Sequence, residues 1–100
     1  MISHFSMNIG QQLEQYTLKN PHEVLLVTIA VDGEEEEISI FKGFSSSLTR
    51  STPYDPDISL IPETARIIRI DRLASPYHPL NPRYIQENLS LEEMQSLLIN

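Results

Sequence analysis

The residues best suited to bind a ligand follow a pair of apolar segments near the middle of the chain. They are Lys42, Ser45, Ser46, Ser47, Thr49 and Arg50. Two cations beside several hydroxyls and backbone amides are the groups with which proteins hold a phosphate or a carboxylate. A small anionic molecule or a nucleotide is therefore one ligand that this segment could bind.

The polar segment at residues 43–57 has two further interpretations. It contains neither the GxxxxGK[ST] pattern of a phosphate-binding loop nor the GxGxxG pattern of a dinucleotide site, so no motif indicates a cofactor. Serine and threonine hydroxyls in a long ordered connection often bond to their own backbone. A loop of this length can also contact a protein partner. The sequence leaves these three interpretations open, with the structural connection favoured.

A second candidate for partner binding is the acidic run at residues 34–37. The run consists of Glu34, Glu35, Glu36 and Glu37, directly after Asp32 and Gly33. Four adjacent carboxylates repel one another and cannot be buried unpaired. We expect them to project into water or to meet a cationic partner.

Several classes of chemistry lack the residues that they need. The 100 residues include no cysteine, which removes disulfides, thiolate metal sites and cysteine nucleophiles. His4 and His22 have no acidic or histidine neighbour at ligand spacing, so we interpret them as surface or turn residues. No nucleophile, metal or acid–base constellation is evident. The sequence thus predicts a noncatalytic protein without a metal or a cofactor.

Charge and length restrict the partners and the location. The net charge is −7, and all five arginines lie between residues 50 and 83. Duplex nucleic acid requires a concentrated cationic face, which this distribution does not favour. No apolar run approaches the roughly 20 residues that span a bilayer, and residues 1–8 do not resemble a secretory signal. We expect a cytoplasmic protein that forms a single domain over residues 1–100.

The elements that must position these residues centre on a hairpin between Glu23 and Phe44. Asp32 and Gly33 suit the two central positions of a type I′ turn. A two-residue loop places Val31 opposite Glu34, and Leu25 opposite Ile40; a longer loop through Glu35, which would relieve repulsion between the glutamates, is the alternative. The first strand is apolar on both faces, as is typical of a strand at the centre of a sheet.

The remaining elements are a helix at each end of the chain and a third strand. Asn8 and Gln11 form a capping-box pattern before the helix at residues 8–19, and Ser90 and Glu93 form one before the last helix. Residues 64–73 are predicted to pair beside the first strand, with their arginines neutralising part of the acidic run. The proline-rich residues 75–82 are predicted to cross the domain as an extended strap, anchored by Tyr77 and Tyr84.

Together these elements predict the α+β class. We expect a small two-layer domain with a three- or four-stranded, largely antiparallel sheet around the central hairpin, and with N- and C-terminal helices.

Three phrases of the sequence resemble a known family. They are Ile-Phe-Lys-Gly-Phe-Ser-Ser-Ser-Leu-Thr-Arg at residues 40–50, Tyr-Asp-Pro-Asp at residues 54–57, and Ile-Asp-Arg-Leu-Ala-Ser-Pro-Tyr at residues 70–77. They resemble a family of small uncharacterised proteins from cyanobacteria that has chloroplast counterparts in plants, and the similarity extends over residues 23–93. The resemblance implies a cyanobacterial cytoplasmic protein or one of the plastid stroma, and the missing transit peptide favours the former. It transfers no activity and no catalytic residue.

The functional hypothesis is a noncatalytic accessory or protein-interaction module that has a protein partner. The alternative is a protein that binds a small anionic ligand or a nucleotide with the Ser/Thr-rich loop after the hairpin.

Overall fold

The described part of the chain forms two helices and five strands. The computed structural model describes residues 8–48, 61–62 and 65–99. In chain order the elements are α1 (Ile9–Lys19), β1 (Glu23–Val31), β2 (Glu34–Phe41), β3 (Phe44–Ser47), β4 (Arg66–Ala74), β5 (Tyr84–Leu89) and α2 (Leu91–Ile99). The strands form one antiparallel sheet in the order β3-β2-β1-β4-β5. The predicted α+β class is therefore confirmed.

Strand β1 lies at the centre of the sheet, as its apolar sequence predicts. Its residues 24–29 are all buried, and it pairs with β2 on one edge and with β4 on the other. Asp32 and Gly33 form the turn to β2 with φ angles of 52° and 82°. The predicted register is also confirmed, since Val31 lies opposite Glu34 and Leu25 lies opposite Ile40.

Both helices begin at capping boxes. The Asn8 side chain accepts a hydrogen bond from the Gln11 amide at 2.8 Å, and the Gln11 side chain accepts one from the Asn8 amide at 3.2 Å. The Glu93 amide donates to Ser90 Oγ at 3.1 Å, and the Ser90 amide donates to Glu93 Oε1 at 2.9 Å. These bonds satisfy amides that have no partner within a helix, so they fix the predicted starts.

The main core lies between the helices and one face of the sheet. Its buried members are Leu13, Leu25, Val27, Ile29, Ile38, Ile40, Ile61, Ile70, Leu89 and Met94. A smaller cluster of Val24, Leu26 and Leu73 lies on the opposite face, where Phe41 and Tyr77 pack against it. We call this second side of the sheet the outer face. The sheet thus has apolar contacts on both sides.

The sheet has more strands than the three or four expected, in part because the chain turns again directly after β2. Lys42 and Gly43 have φ angles of 50° and 84° and form a second tight turn. Residues 44–47 consequently pair with β2 as strand β3, whereas the sequence placed them in a long loop. A lysine at positive φ is not a strong turn signal, and the serines of β3 have low strand propensity.

Strand β5 accounts for the remaining difference. The extended strap expected at residues 75–82 is instead a turn-containing connection between β4 and β5, closed by a 2.8 Å hydrogen bond from the Ala74 amide to the Arg83 carbonyl. The pairing of β5 is irregular, and Asn88 has a φ of 57° with its amide bonded to Asp71 at 2.8 Å. These irregularities hide the period-two pattern by which a strand is recognised.

The acidic run follows the alternation of β2, and its four members do not share one environment. Glu36 is only 9% exposed and lies opposite Ile29, on the side of the helices. Glu34, Glu35 and Glu37 are exposed. Of the two expected outcomes, projection into water holds for Glu34, Glu35 and Glu37 but not for Glu36, because successive strand residues point to opposite faces.

Candidate functional site

A groove on the outer face is lined by three aromatic side chains, Phe41, Phe44 and Tyr77. We call it the outer-face groove; it has a volume of about 450 Å³. Its lining residues come from β1, β2, β3, the β2–β3 turn and the β4–β5 connection. They are Val24, Ser39, Phe41, Lys42, Phe44, Ser46, Pro76 and Tyr77.

The floor of the groove is apolar and its edge carries one cation. Phe41 and Tyr77 pack against the small cluster that includes Val24. Phe44 lies opposite Phe41 across β2 and β3, and 77% of its surface is exposed. Lys42 Nζ lies 5.2 Å from the centre of the Phe41 ring, within the range of a cation–π contact. Lys42 is the one charged residue among the eight that line the groove.

Helix α1 holds the turn that presents Lys42 and Phe44. The Gly43 amide donates to Thr17 Oγ1 at 2.9 Å, and the fully buried Thr17 hydroxyl donates to the Glu14 carbonyl at 2.8 Å. Ser45 Oγ donates to Glu14 Oε2 at 2.7 Å. These bonds join the turn and β3 to one side of the helix, so this wall of the groove is fixed by the packing of α1.

Gly43 is required in this turn for two reasons. Its φ of 84° is strained for a residue with a side chain. A Cβ atom at this position would also lie 2.9 Å from Leu18 Cδ2, which is closer than van der Waals contact. The glycine therefore allows both the turn conformation and the close approach of the turn to α1.

The other wall comes from the connection between β4 and β5. The Ser75 amide donates to the His22 carbonyl at 2.9 Å, which ties the start of this connection to the residues before β1. Pro76 and Tyr77 follow directly and line the groove. The predicted role of Tyr77 as a packing anchor agrees with its contacts, whereas Tyr84 is 44% exposed.

The structure distributes the predicted anion-binding residues over both faces of the sheet. Ser45 and Ser47 lie opposite Ile40 and Ile38, whose side chains belong to the main core, while Ser46 lies in the outer-face groove. The Ser45 hydroxyl is bonded to a carboxylate. Thr49 and Arg50, like the rest of the predicted loop to residue 57, lie outside the described residues. Of the members that the structure describes, only two line the groove, namely Lys42 and Ser46.

Glu34 and Glu35 lie at the far end of β2 from the groove, whereas Glu37 lies on the outer face two residues before Ser39, which lines the groove. Glu37 and Arg69 both pair with Thr28, one from each side of β1, so the three residues form one row across the sheet. Glu35 and Arg66 flank Ala30 in the same way. The structure thus places two arginines of β4 on the same face as two of the glutamates, because a register shift in β4 brings Arg66 and Arg69 to one side; that they neutralise part of the acidic run stays a prediction.

A polar network that the sequence analysis did not identify lies on the side of the helices. Arg72 Nε and Nη2 donate to the two carboxylate oxygens of Glu23 at 2.8 and 2.9 Å, and Tyr16 donates to Glu23 Oε1 at 2.8 Å. Arg72 Nη1 also donates to Gln86 at 2.8 Å. The alternation of β4 contains a signal for it, because Arg72 falls on the same face as the buried Ile70 and such a charge needs a partner.

The network keeps Glu23 ionised. Burial acts to raise the pKa of Glu23, but the hydrogen bonds from Arg72 and Tyr16 and the charge of Arg72 outweigh it, so the pKa is lowered. Burial and the bond to Glu23 raise the pKa of Tyr16, while the bond to Glu23 raises the pKa of Arg72. With three donors already on its carboxylate, Glu23 is suited to a structural role.

Two further observations limit the kinds of site that the described residues form. Residues 8–48, 61–62 and 65–99 contain no group of three histidine, aspartate or glutamate side chains that could hold a metal ion. Neither α1 nor α2 has the length and apolar character that crossing a membrane requires.

The fold and the groove define a small two-layer α+β domain with a concave aromatic surface on the side of its sheet away from the helices. The profile of one protein family, described as Domain of unknown function (DUF7734), matches residues 10–98. The match extends from α1 to α2, and the chain belongs to this family. No curated protein matches the chain, and no solved structure does.

Proposed function

We propose that the chain is a noncatalytic protein-interaction module whose outer-face groove binds a short peptide segment of a partner protein. The observation that carries the proposal is the exposed Phe44 beside Lys42 on a turn that α1 holds in place. A cytoplasmic location, a cyanobacterial or plastid origin and the lack of affinity for duplex nucleic acid belong to the same proposal, and the sequence supports them.

The chemistry of the lining specifies the partner segment. Aromatic residues such as Phe41, Phe44 and Tyr77 contribute much of the binding energy in protein interfaces, and they favour an apolar or aromatic anchor on the other side. Lys42 is the one charge among the described lining residues, so a carboxylate close to the anchor complements it. The expected segment therefore carries an apolar side chain next to an aspartate or a glutamate.

The bonds between α1 and the turn support binding by a preformed surface. The Gly43 amide and the Ser45 hydroxyl are both bonded to α1 residues before any partner is present. A surface that is already ordered loses less conformational entropy on binding. Phe44 and Lys42 can accordingly contribute to affinity without first being fixed in place.

The alternative, an anionic-ligand or nucleotide site in the Ser/Thr-rich segment, has less support. Ser45 is bonded to the Glu14 carboxylate, and Ser46 lies on the other face of the sheet from Ser45 and Ser47. A phosphate needs donors that converge on one point. We retain the groove as the leading site for that reason.

Selection of displayed random peptides on the immobilised full chain tests the proposal. We expect enrichment of peptides with an aromatic or large aliphatic residue beside an acidic one. Phe44→Ser should weaken their binding about tenfold or more, because a central aromatic anchor contributes roughly 2 kcal/mol. Lys42→Ser should weaken it less. Ile85→Ser is the matched control, since Ile85 is 48% exposed on β5 and does not line the groove.

Three outcomes would contradict the proposal. The first is the absence of any enriched peptide, and the second is equal binding to the parent and to Phe44→Ser. The third is a concentration-dependent dimer that Phe44→Ser abolishes, measured by sedimentation, because a second copy of the chain would then occupy the groove.

A further inference from the structure

A second concave surface lies between the two helices, on the other side of the sheet from the outer-face groove. We call it the interhelical cleft; its volume is about 560 Å³. Its lining residues are Gln12, Gln15, Tyr16, Lys19, Asn20, Leu97 and Leu98. Small-molecule sites in proteins typically have volumes of roughly 300 to 1,000 Å³, and the space between packed helices is one of their usual places.

The lining combines an apolar part, a polar part and one positive charge. Leu97 and Leu98 pack against the main core and are partly buried, as is Tyr16. The polar part consists of carboxamide side chains at Gln12, Gln15 and Asn20. Lys19 is the one charged residue of the seven. A ligand that matches this lining has a hydrocarbon body and a single negative charge.

The wall formed by Tyr16 is held in a fixed position. Its hydroxyl donates to Glu23 at 2.8 Å, and Glu23 is held by two bonds from Arg72. The Asn20 side chain caps α1 by donating to the Tyr16 carbonyl at 2.9 Å. Because these bonds exist without a ligand, the shape of this part of the cleft is set by the fold itself.

We propose that the interhelical cleft binds a small amphipathic carboxylate. The carboxylate would lie at Lys19 with the Gln15 side-chain amide as a further donor, and the hydrocarbon body would lie against Leu97, Leu98 and the Tyr16 ring. A single negative charge fits better than a doubly charged phosphate, because the described lining of the cleft contains one cation in a chain of net charge −7. This site is separate from the groove for which we propose a peptide partner.

A titration of the isotope-labelled full chain with octanoate, followed by NMR, tests the inference. We expect saturable shifts of backbone amides in residues 12–20 and 97–98. Lys19→Met should weaken octanoate binding roughly tenfold or more, which is the range for loss of one charge-assisted hydrogen bond. Binding of 1-octanol, which has the same hydrocarbon chain without the charge, should be unaffected by this substitution.

Two control variants separate this site from the groove. Lys42→Met removes the cation of the groove and should leave octanoate binding unchanged, as should Phe44→Ser. Lys19 is exposed, so the Lys19→Met variant should fold, and its spectrum without ligand checks this directly. Octanoate shifts that do not saturate, shifts centred on the outer face, or equal affinity of the parent and Lys19→Met would each overturn the inference.

Discussion

Two glycines with the same backbone conformation have different surroundings. Gly33 and Gly43 have φ angles of 82° and 84°, each as the second residue of a tight turn. Nothing lies within 4 Å of a Cβ atom built on Gly33, whereas one built on Gly43 would lie 2.9 Å from Leu18. A side chain at Gly33 would therefore cause backbone strain alone, whereas one at Gly43 would cause both backbone strain and steric crowding.

Alanine substitutions should reveal this difference. Gly33→Ala should cost about 1 to 2 kcal/mol of unfolding free energy, from strain at positive φ alone. Gly43→Ala should cost roughly 1 kcal/mol more, because Leu18 must move. Leu18 is 53% exposed and flexible enough to yield, which limits the cost. Urea unfolding measures both values.

A double-mutant cycle with Leu18→Ala supplies the control. In that background the extra cost at Gly43 should vanish, while the cost at Gly33 should stay the same. An unchanged difference between the two glycines would show that contact with Leu18 does not cause it.

Glu23 makes the stability of the domain depend on pH. In the unfolded chain its carboxyl titrates near its ordinary pKa of about 4.3, and the network lowers that pKa in the folded chain. The ionised carboxylate thus stabilises the fold fully above the unfolded pKa. This contribution is lost as the pH falls through the folded pKa.

Glu23→Gln should therefore destabilise the protein at neutral pH and do so less in acid. The expected loss is about 1 to 3 kcal/mol at about pH 7, since the partly buried Arg72 loses its charged partner. The difference from the parent should shrink as the pH falls below about 4. Urea unfolding across this pH range measures it. Glu87→Gln, at an exposed position of β5, should show neither effect, and a pH-independent difference would contradict the assignment.

At the scale of elements, the β2–β3 hairpin depends on α1 for its position. The contact consists of two hydrogen bonds, from the Gly43 amide to Thr17 and from the Ser45 hydroxyl to Glu14. Gly43 also lies close to Leu18. A four-residue edge strand has little pairing of its own. We infer that the groove keeps its shape only while this contact is intact.

Thr17→Val tests this dependence with almost no change in volume. The variant leaves the Gly43 amide without its acceptor, at a cost of about 1 to 3 kcal/mol in unfolding free energy. Hydrogen exchange at Gly43 should accelerate, while exchange in β1 should change only in line with global stability. Thr17→Ser keeps the hydroxyl and should retain the protection at Gly43. Equal protection in the parent and in Thr17→Val would contradict the proposed anchoring.

The elements differ in how far the sequence predicts them. Asn8 and Ser90 predict the helix starts, and Asp32-Gly33 predicts the hairpin. These signals can be read from the sequence because the interactions behind them join residues only a few positions apart. Strand β3 is not predicted, since its polar residues are held by a contact with α1 that the local pattern does not contain. Of the residues that line the groove, the sequence predicted only Lys42 and Ser46 as binding residues. Its lining joins Phe41 to Tyr77, two residues that are brought together only by strand order.

At the scale of the whole molecule, the net charge of −7 favours a dependence of stability on salt. Repulsion within an acidic chain is screened by added ions, whereas the partly buried Arg72–Glu23 pair is screened much less. The exposed glutamates at the end of β2 concentrate this repulsion.

We expect sodium chloride to stabilise the fold. The unfolding free energy should rise on the order of 1 kcal/mol between roughly 0.05 and 0.5 M salt. A variant with both Glu35→Gln and Glu37→Gln should show a smaller rise, and Glu87→Gln serves as the single-site comparison. Thermal or urea unfolding at each salt concentration gives the value. A decrease with salt would mean that pairing of these glutamates with Arg66 and Arg69 outweighs the repulsion.

The open turn at Asp32 and Gly33 also makes the molecule convenient to modify. Nothing lies within 4 Å of a Cβ atom built on Gly33, and its turn lies at the other end of β2 from the Lys42–Gly43 turn. Exposed loop tips of this kind accept insertions readily. An affinity peptide inserted between Asp32 and Gly33, or a fluorophore attached there, would project from the end of the sheet and leave the outer-face groove unobstructed. The labelled protein could then be used to measure binding in the groove.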